Sequence, residues 1–141
     1  MKQEEKDLLL KDLCARLPYN PMVEYKSETY NVLGITQGRL VLCKPFMSKT
    51  LDKYPLMEEV KPYLFPLSSI NTELICKLNN LLPEYCRLTK NQIIGVSGDD
   101  YREIKLEQLD NLFKFFNLFH VDFRNLIEKG LANDATGLNI Y

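Results

Sequence analysis

Met22-Val23-Glu24-Tyr25-Lys26-Ser27-Glu28-Thr29-Tyr30-Asn31-Val32-Leu33-Gly34-Ile35-Thr36-Gln37-Gly38-Arg39-Leu40-Val41-Leu42-Cys43-Lys44 is the stretch from which the architecture is read. It is rich in valine, tyrosine, threonine and isoleucine with short polar breaks, a composition that suits a pleated, half-buried surface. The pattern predicts strands near residues 22–26, 29–36 and 39–44. Lys26-Ser27-Glu28 and Gln37-Gly38 are the turns that join them into a small antiparallel meander. Gly34, inside the second strand, marks a bulge or a close approach of another backbone. Gly34 and Gly38 make no phosphate-cradling loop, because a third glycine, a following helix and a Gly-Lys-Ser/Thr element are all missing.

Upstream of this β region, Glu4 and Glu5 favour a helix start, Leu9, Leu10, Leu13, Cys14 and Leu17 make an apolar stripe, and Pro18 ends it. A helix is therefore expected over residues 3–17, with Lys6, Asp7, Lys11, Asp12 and Arg16 on its solvated face. Downstream, Pro45, Pro55, Pro62 and Pro66 exclude a long regular element from residues 45–66. A second helix is predicted over 72–82 from Leu74, Ile75, Leu78, Leu81 and Leu82, with N-caps available in Ser68–Thr72. Residues 92–96 and 101–104 flank the turn cluster Ser97-Gly98-Asp99-Asp100 and read as a second hairpin.

A third helix is predicted over 106–118, with Leu106, Leu109, Leu112, Phe113 and Phe116 on one face, and Phe115 and Phe119 are expected to be buried beside that stripe. Asp122 to Gly130 reads as N-cap, short helix and glycine terminator. A polar tail occupies residues 132–141. The expected fold is thus α+β: a single small domain, residues 1–141, with a short antiparallel β-meander or hairpins packed against three to four helices.

Composition narrows the function classes. The 141 residues are 45% hydrophobic and 26% charged, ordinary for a globular chain of this size, and 18 basic residues against 19 acidic ones leave a net charge of −1. The basic residues are dispersed, so no nucleic acid partner is expected. The acidic N-terminus does not resemble a leader peptide and no apolar run approaches the roughly 20 residues of a membrane span, so no membrane association and a cytoplasmic location are expected. Cys14, Cys43, Cys76 and Cys86 include no Cys-x-x-Cys pair and His120 is the one histidine, so neither a metal nor a cofactor is expected. Cys14, Cys43 and Cys76 sit in apolar patterns and are expected as buried thiols.

Three blocks carry a family resemblance: Lys11-Asp12-Leu13-Cys14-Ala15-Arg16-Leu17-Pro18-Tyr19, Glu59-Val60-Lys61-Pro62-Tyr63-Leu64-Phe65-Pro66-Leu67-Ser68-Ser69, and Asp122-Phe123-Arg124-Asn125-Leu126-Ile127-Glu128-Lys129-Gly130-Leu131-Ala132. They resemble a family of small uncharacterised proteins from gut Bacteroides and their phages or prophages. The family pattern has arginine and methionine at Phe65 and Leu67 and a second histidine at Val121, so a His-His pair is not available to this chain. What the resemblance implies is context, a cytoplasmic protein of phage or mobile-element origin, with no catalytic residue to carry over.

Two function classes follow. The first is a non-catalytic interaction or accessory protein whose partner is a protein from host or phage, or a second copy of itself. It rests on the lack of a catalytic signature and on eight tyrosines, a residue type favoured at binding surfaces. The alternative is a small enzyme or ligand-binding domain built on His120, Asp122 and Arg124, with the imidazole as acid or base, the carboxylate orienting it and the arginine holding an anion.

Overall fold

A computed structural model describes residues 1–45, 54–70, 76, 80, 86–88, 93–95 and 106–141. Two α-helices occur among them, α1 (Gln3–Arg16) and α2 (Leu106–Leu118). Strands β1 (Met22–Tyr25), β2 (Glu28–Thr36) and β3 (Arg39–Cys43) form the expected meander. Both hairpin turns place two consecutive residues at positive φ, Lys26 and Ser27 in one and Gln37 and Gly38 in the other. That is the backbone twist tight antiparallel hairpins require. The register between β2 and β3 shifts between Val32 and Gly34, so the bulge falls at the expected glycine and turns Leu33 outward.

The sheet does not stop at the meander. The proline-punctuated stretch contains a seven-residue strand, β4 (Val60–Pro66), in the interior of the sheet. Its first half pairs antiparallel with β1 and its second half pairs parallel with two later strands, β7 (Val121–Asp122) and β8 (Asn133–Asp134). The result is a mixed six-stranded sheet in the order β3-β2-β1-β4-β7, with β8 also on β4. Val60, Pro62 and Leu64 are buried in alternation along β4, an in-out period that runs through Pro62.

This overturns the expectation of hairpins under three to four helices. The predicted helix over 72–82 falls almost wholly outside the described residues. The predicted last helix is a run of turns, because Asn125 adopts a left-handed φ of 57° that no right-handed helix accommodates. Within the predicted second hairpin, β6 (Ile93–Gly95) pairs antiparallel with the preceding β5 (Cys86–Leu88). The expected partner at 101–104 lies outside the described residues. The tail is no loose extension, since β8 joins the sheet and Ala132 and Ala135 are buried.

One face of the sheet and the inner side of α1 share the main core, in which Leu9, Leu13, Val23, Leu40, Leu42 and Leu64 are fully buried with Leu126. A second cluster joins Leu112 and Phe116 of α2 to Ile70 and Val121. Three side-chain placements depart from expectation. Cys14 and Cys76 are exposed while Cys43 is buried, Phe119 and Phe113 are exposed, and the buried edge of α1 includes Asp12 and Arg16. Among the described residues no helix is long and apolar enough to cross a membrane.

Gly130 follows the turn that ends the 122–130 segment, at φ 69°, and a Cβ built there would meet nothing within 4 Å. Gly130→Ala is therefore expected to cost about 1 kcal/mol, wholly from the left-handed backbone. A urea melt checks it, and Gly130→Asn should recover most of the loss.

Candidate functional site

The polar residues of the molecule's interior meet where the end of α1, the end of α2 and the 119–124 segment converge. Asp12 and Arg16 lie one helical turn apart on α1, and both are 0% exposed. Arg16 grips Asp12 in a two-point contact, Nε to Oδ2 at 2.7 Å and Nη2 to Oδ1 at 2.9 Å. Its remaining reach goes across the fold: Nη1 donates to the carbonyl of Phe116 at 3.3 Å and Nη2 to that of Val121 at 2.8 Å. Phe116 lies in the last turn of α2, whose own sequence carries no basic residue there. Arg16 thus brings from another helix the positive charge that a helix C-terminus favours.

Arg124 shares this carboxylate, donating from Nη1 to the same Asp12 Oδ1 at 2.6 Å. Both guanidiniums also lie near the Phe123 ring, Arg124 Cζ at 4.1 Å and Arg16 Cζ at 5.7 Å from its centroid. Planar guanidiniums over an aromatic face, sharing one carboxylate, make a compact joint between the two ends of the chain.

His120 sits at φ 53°, two residues past the end of α2, and is 5% exposed. Its ring stacks on Tyr141 with centroids 3.7 Å apart and planes 12° from parallel. Burial, and next the charge of Arg16, push its pKa down to about 4, against the opposing pull of a hydrogen bond with the Tyr19 backbone. Among the described residues its buried Nδ1 has no hydrogen-bond partner. The imidazole is therefore neutral at neutral pH. A helix C-terminus would favour the cation, and desolvation outweighs it here.

Asp122 is committed elsewhere. Its Oδ1 accepts the Leu126 N–H and its Oδ2 the Ile127 N–H, both at 2.8 Å. The carboxylate caps a turn four and five residues on, and does not reach the imidazole. Asp122→Ala strands two N–H groups and is expected to cost about 2–4 kcal/mol. Asp122→Asn keeps one acceptor oxygen and should cost about half as much, readable as the shift in urea midpoint.

The three candidates named from the sequence thus lie close together but serve three separate contacts: His120 under Tyr141, Asp122 on a turn, Arg124 on Asp12. A pocket of about 310 Å³ opens beside them, lined by Pro66, Leu67, Ser68, Asp122, Asn125, Ile127 and Glu128. It takes in Asp122 but neither of the other two. Among the described residues no three His, Cys, Asp or Glu side chains gather as a metal site. Sequence reasoning missed Asp12, Arg16 and Tyr141. The acid–base spacing of Asp12 and Arg16 was visible as an i, i+4 pair.

Compared with protein-family models, with curated proteins and with solved structures, the chain matches none of them.

Proposed function

We propose that this is a non-catalytic protein-interaction or accessory protein, working in the cytoplasm and, on the family resemblance of its three sequence blocks, of phage or mobile-element origin. The observation that carries the first part is how the polar interior is spent. Arg16 and Arg124 both bond to Asp12, Arg16 also to two backbone carbonyls, and Asp122 to two backbone N–H groups. His120 is held neutral beneath a tyrosine. General acid–base work needs a group in hydrogen-bond reach of a substrate proton.

Large apolar side chains, by contrast, stay on the outside where α2 ends. Phe113 is 45% exposed, Leu118 50% and Phe119 38%. Exposed aromatic and aliphatic residues of this size are the usual anchors of protein contacts. Two of them are also held in fixed poses, Phe119 against Phe115 with centroids 4.5 Å apart and Phe113 against Phe123 at 5.5 Å. Fixed aromatic side chains lose little freedom on binding.

Light scattering on the purified protein, followed by affinity capture from a cell that carries the native locus, tests the proposal. A stoichiometric protein partner or self-association that Leu118→Glu abolishes, with the melting curve unchanged, is the expected result. Capture indifferent to Leu118→Glu and to Phe119→Ser would overturn the role given to this surface.

A further inference from the structure

Tyr141 is held like a ligand. Its hydroxyl donates to the Tyr63 carbonyl at 2.8 Å and accepts the Met22 N–H at 3.2 Å, while its ring lies flat on His120. The Phe65 ring closes one side at 5.9 Å and a 52° tilt. The elements that supply these groups are β1, β4 and the turn after α2, all tied into the sheet or to α2. The groups that hold Tyr141 thus belong to elements anchored without it, and the tyrosine lies across them with 45% of its surface exposed. The chemistry of this arrangement is selective: one backbone donor and one backbone acceptor meet at a single oxygen, which a phenol satisfies and a plain arene does not.

The segment that delivers Tyr141 is, in contrast, lightly held. Thr136 N–H bonds to Asp134 and Leu138 N–H to Ala135, contacts within the segment itself, and Gly137 and Asn139 take positive φ. The imidazole against which the ring lies belongs to a residue only 5% exposed, and among the described residues its Nδ1 has no hydrogen-bond partner. We propose that the pocket formed by His120, Phe65, the Met22 N–H and the Tyr63 carbonyl is a binding slot for a para-substituted phenol, occupied in cis by Tyr141. A ligand of that class, a free phenol or the tyrosyl side chain of another polypeptide, binds when Tyr141 is displaced. This goes beyond the interaction reading and stands without it, since a phenol slot on His120 is independent of the apolar surface at the end of α2.

Chemical rescue tests it in the intact chain. Tyr141→Ala empties the slot, and 4-methylphenol is the probe, with toluene as the match that lacks the hydroxyl. The single histidine makes the His120 ring proton an unambiguous NMR signal, displaced in the wild type by the stacked Tyr141 ring. Tyr141→Ala should lose that displacement. Saturating 4-methylphenol should restore it and raise the melting temperature of the variant, with toluene at least tenfold weaker. Wild type should show neither effect at the same concentration. N-acetyl-tyrosinamide separates the sources: binding tighter than 4-methylphenol points to a polypeptide tyrosine, weaker binding to a free phenol. Equal response to toluene, or no response in a folded variant, overturns the proposal. Should Tyr141→Ala not fold, Tyr141→Leu carries the same test, and refolding that 4-methylphenol does not promote in either variant counts against the slot.

Discussion

Asp12→Ala is expected to destabilise the protein by about 3–5 kcal/mol, the typical cost of removing one partner from a buried ion pair. The size follows from what remains. Arg16 and Arg124 both bond to this carboxylate, and Arg16 is fully enclosed. Without Asp12 two like charges that met at one carboxylate oxygen are left side by side, and among the described residues Arg16 keeps only the carbonyls of Phe116 and Val121. The sharper test is non-additivity. Asp12→Leu combined with Arg16→Met removes the trapped charges together and should cost less than Asp12→Ala alone. Chemical denaturation of the two variants beside the wild type gives the comparison. A cost below about 1 kcal/mol for Asp12→Ala, the range of exposed pairs, would mean that water reaches these charges.

Acid sensitivity is the second large effect. The folded His120 titrates near 4, well below the ordinary histidine value of 6.5. Between these values the unfolded chain takes up a proton that the folded chain refuses, so stability falls as pH falls. The loss begins near pH 6.5 and is complete near pH 4, and it amounts to about 3 kcal/mol at 1.36 kcal/mol per unit. Glu28 and Glu58, whose pKa values are lowered by their hydrogen bonds to Tyr30 and to Lys6, lose stabilisation only when they protonate, below the ordinary glutamate value of 4.5. The interval from pH 6.5 to 5 therefore isolates the histidine. Urea midpoints across that interval should slope for wild type and be flat for His120→Asn, a substitution chosen because asparagine tolerates φ near 53°. A flat wild-type profile would show that His120 charges without cost.

How far the fold was legible depended on whether a local signal had a rival. The meander was readable because alternation and turn chemistry agreed over residues 22–44. In β4 they disagreed. Val60, Pro62 and Leu64 carry a clear in-out period, but prolines at 62 and 66 outvoted it, although each sits in a strand whose ladder the neighbours still complete. Strands β7 and β8 are two residues long, too short to announce themselves by periodicity. The site shows the same limit. Asp7 with Lys11 and Asp12 with Arg16 have identical spacing on α1, yet the first pair is exposed and the second is sealed in. What separates them is Arg124 and two carbonyls from the far end of the chain, partners that no helical pattern can foresee.

The parallel pairing of β4 also sets a timetable. Its neighbours in the meander are close in sequence and form as soon as the chain turns back on itself, but Tyr63 must wait for Asn133 and Phe65 for Val121. Arg16 waits longer still for the carbonyls of Phe116 and Val121. On a ribosome that releases residues one after another, the nascent chain passes through a stage in which three hairpin strands and α1 exist while the second half of β4 offers an open hydrogen-bonding edge. Closure over such sequence distances is slow compared with hairpin formation. Shielding that edge until residues 121–135 emerge is the step at which synthesis of this protein is most exposed to misassembly.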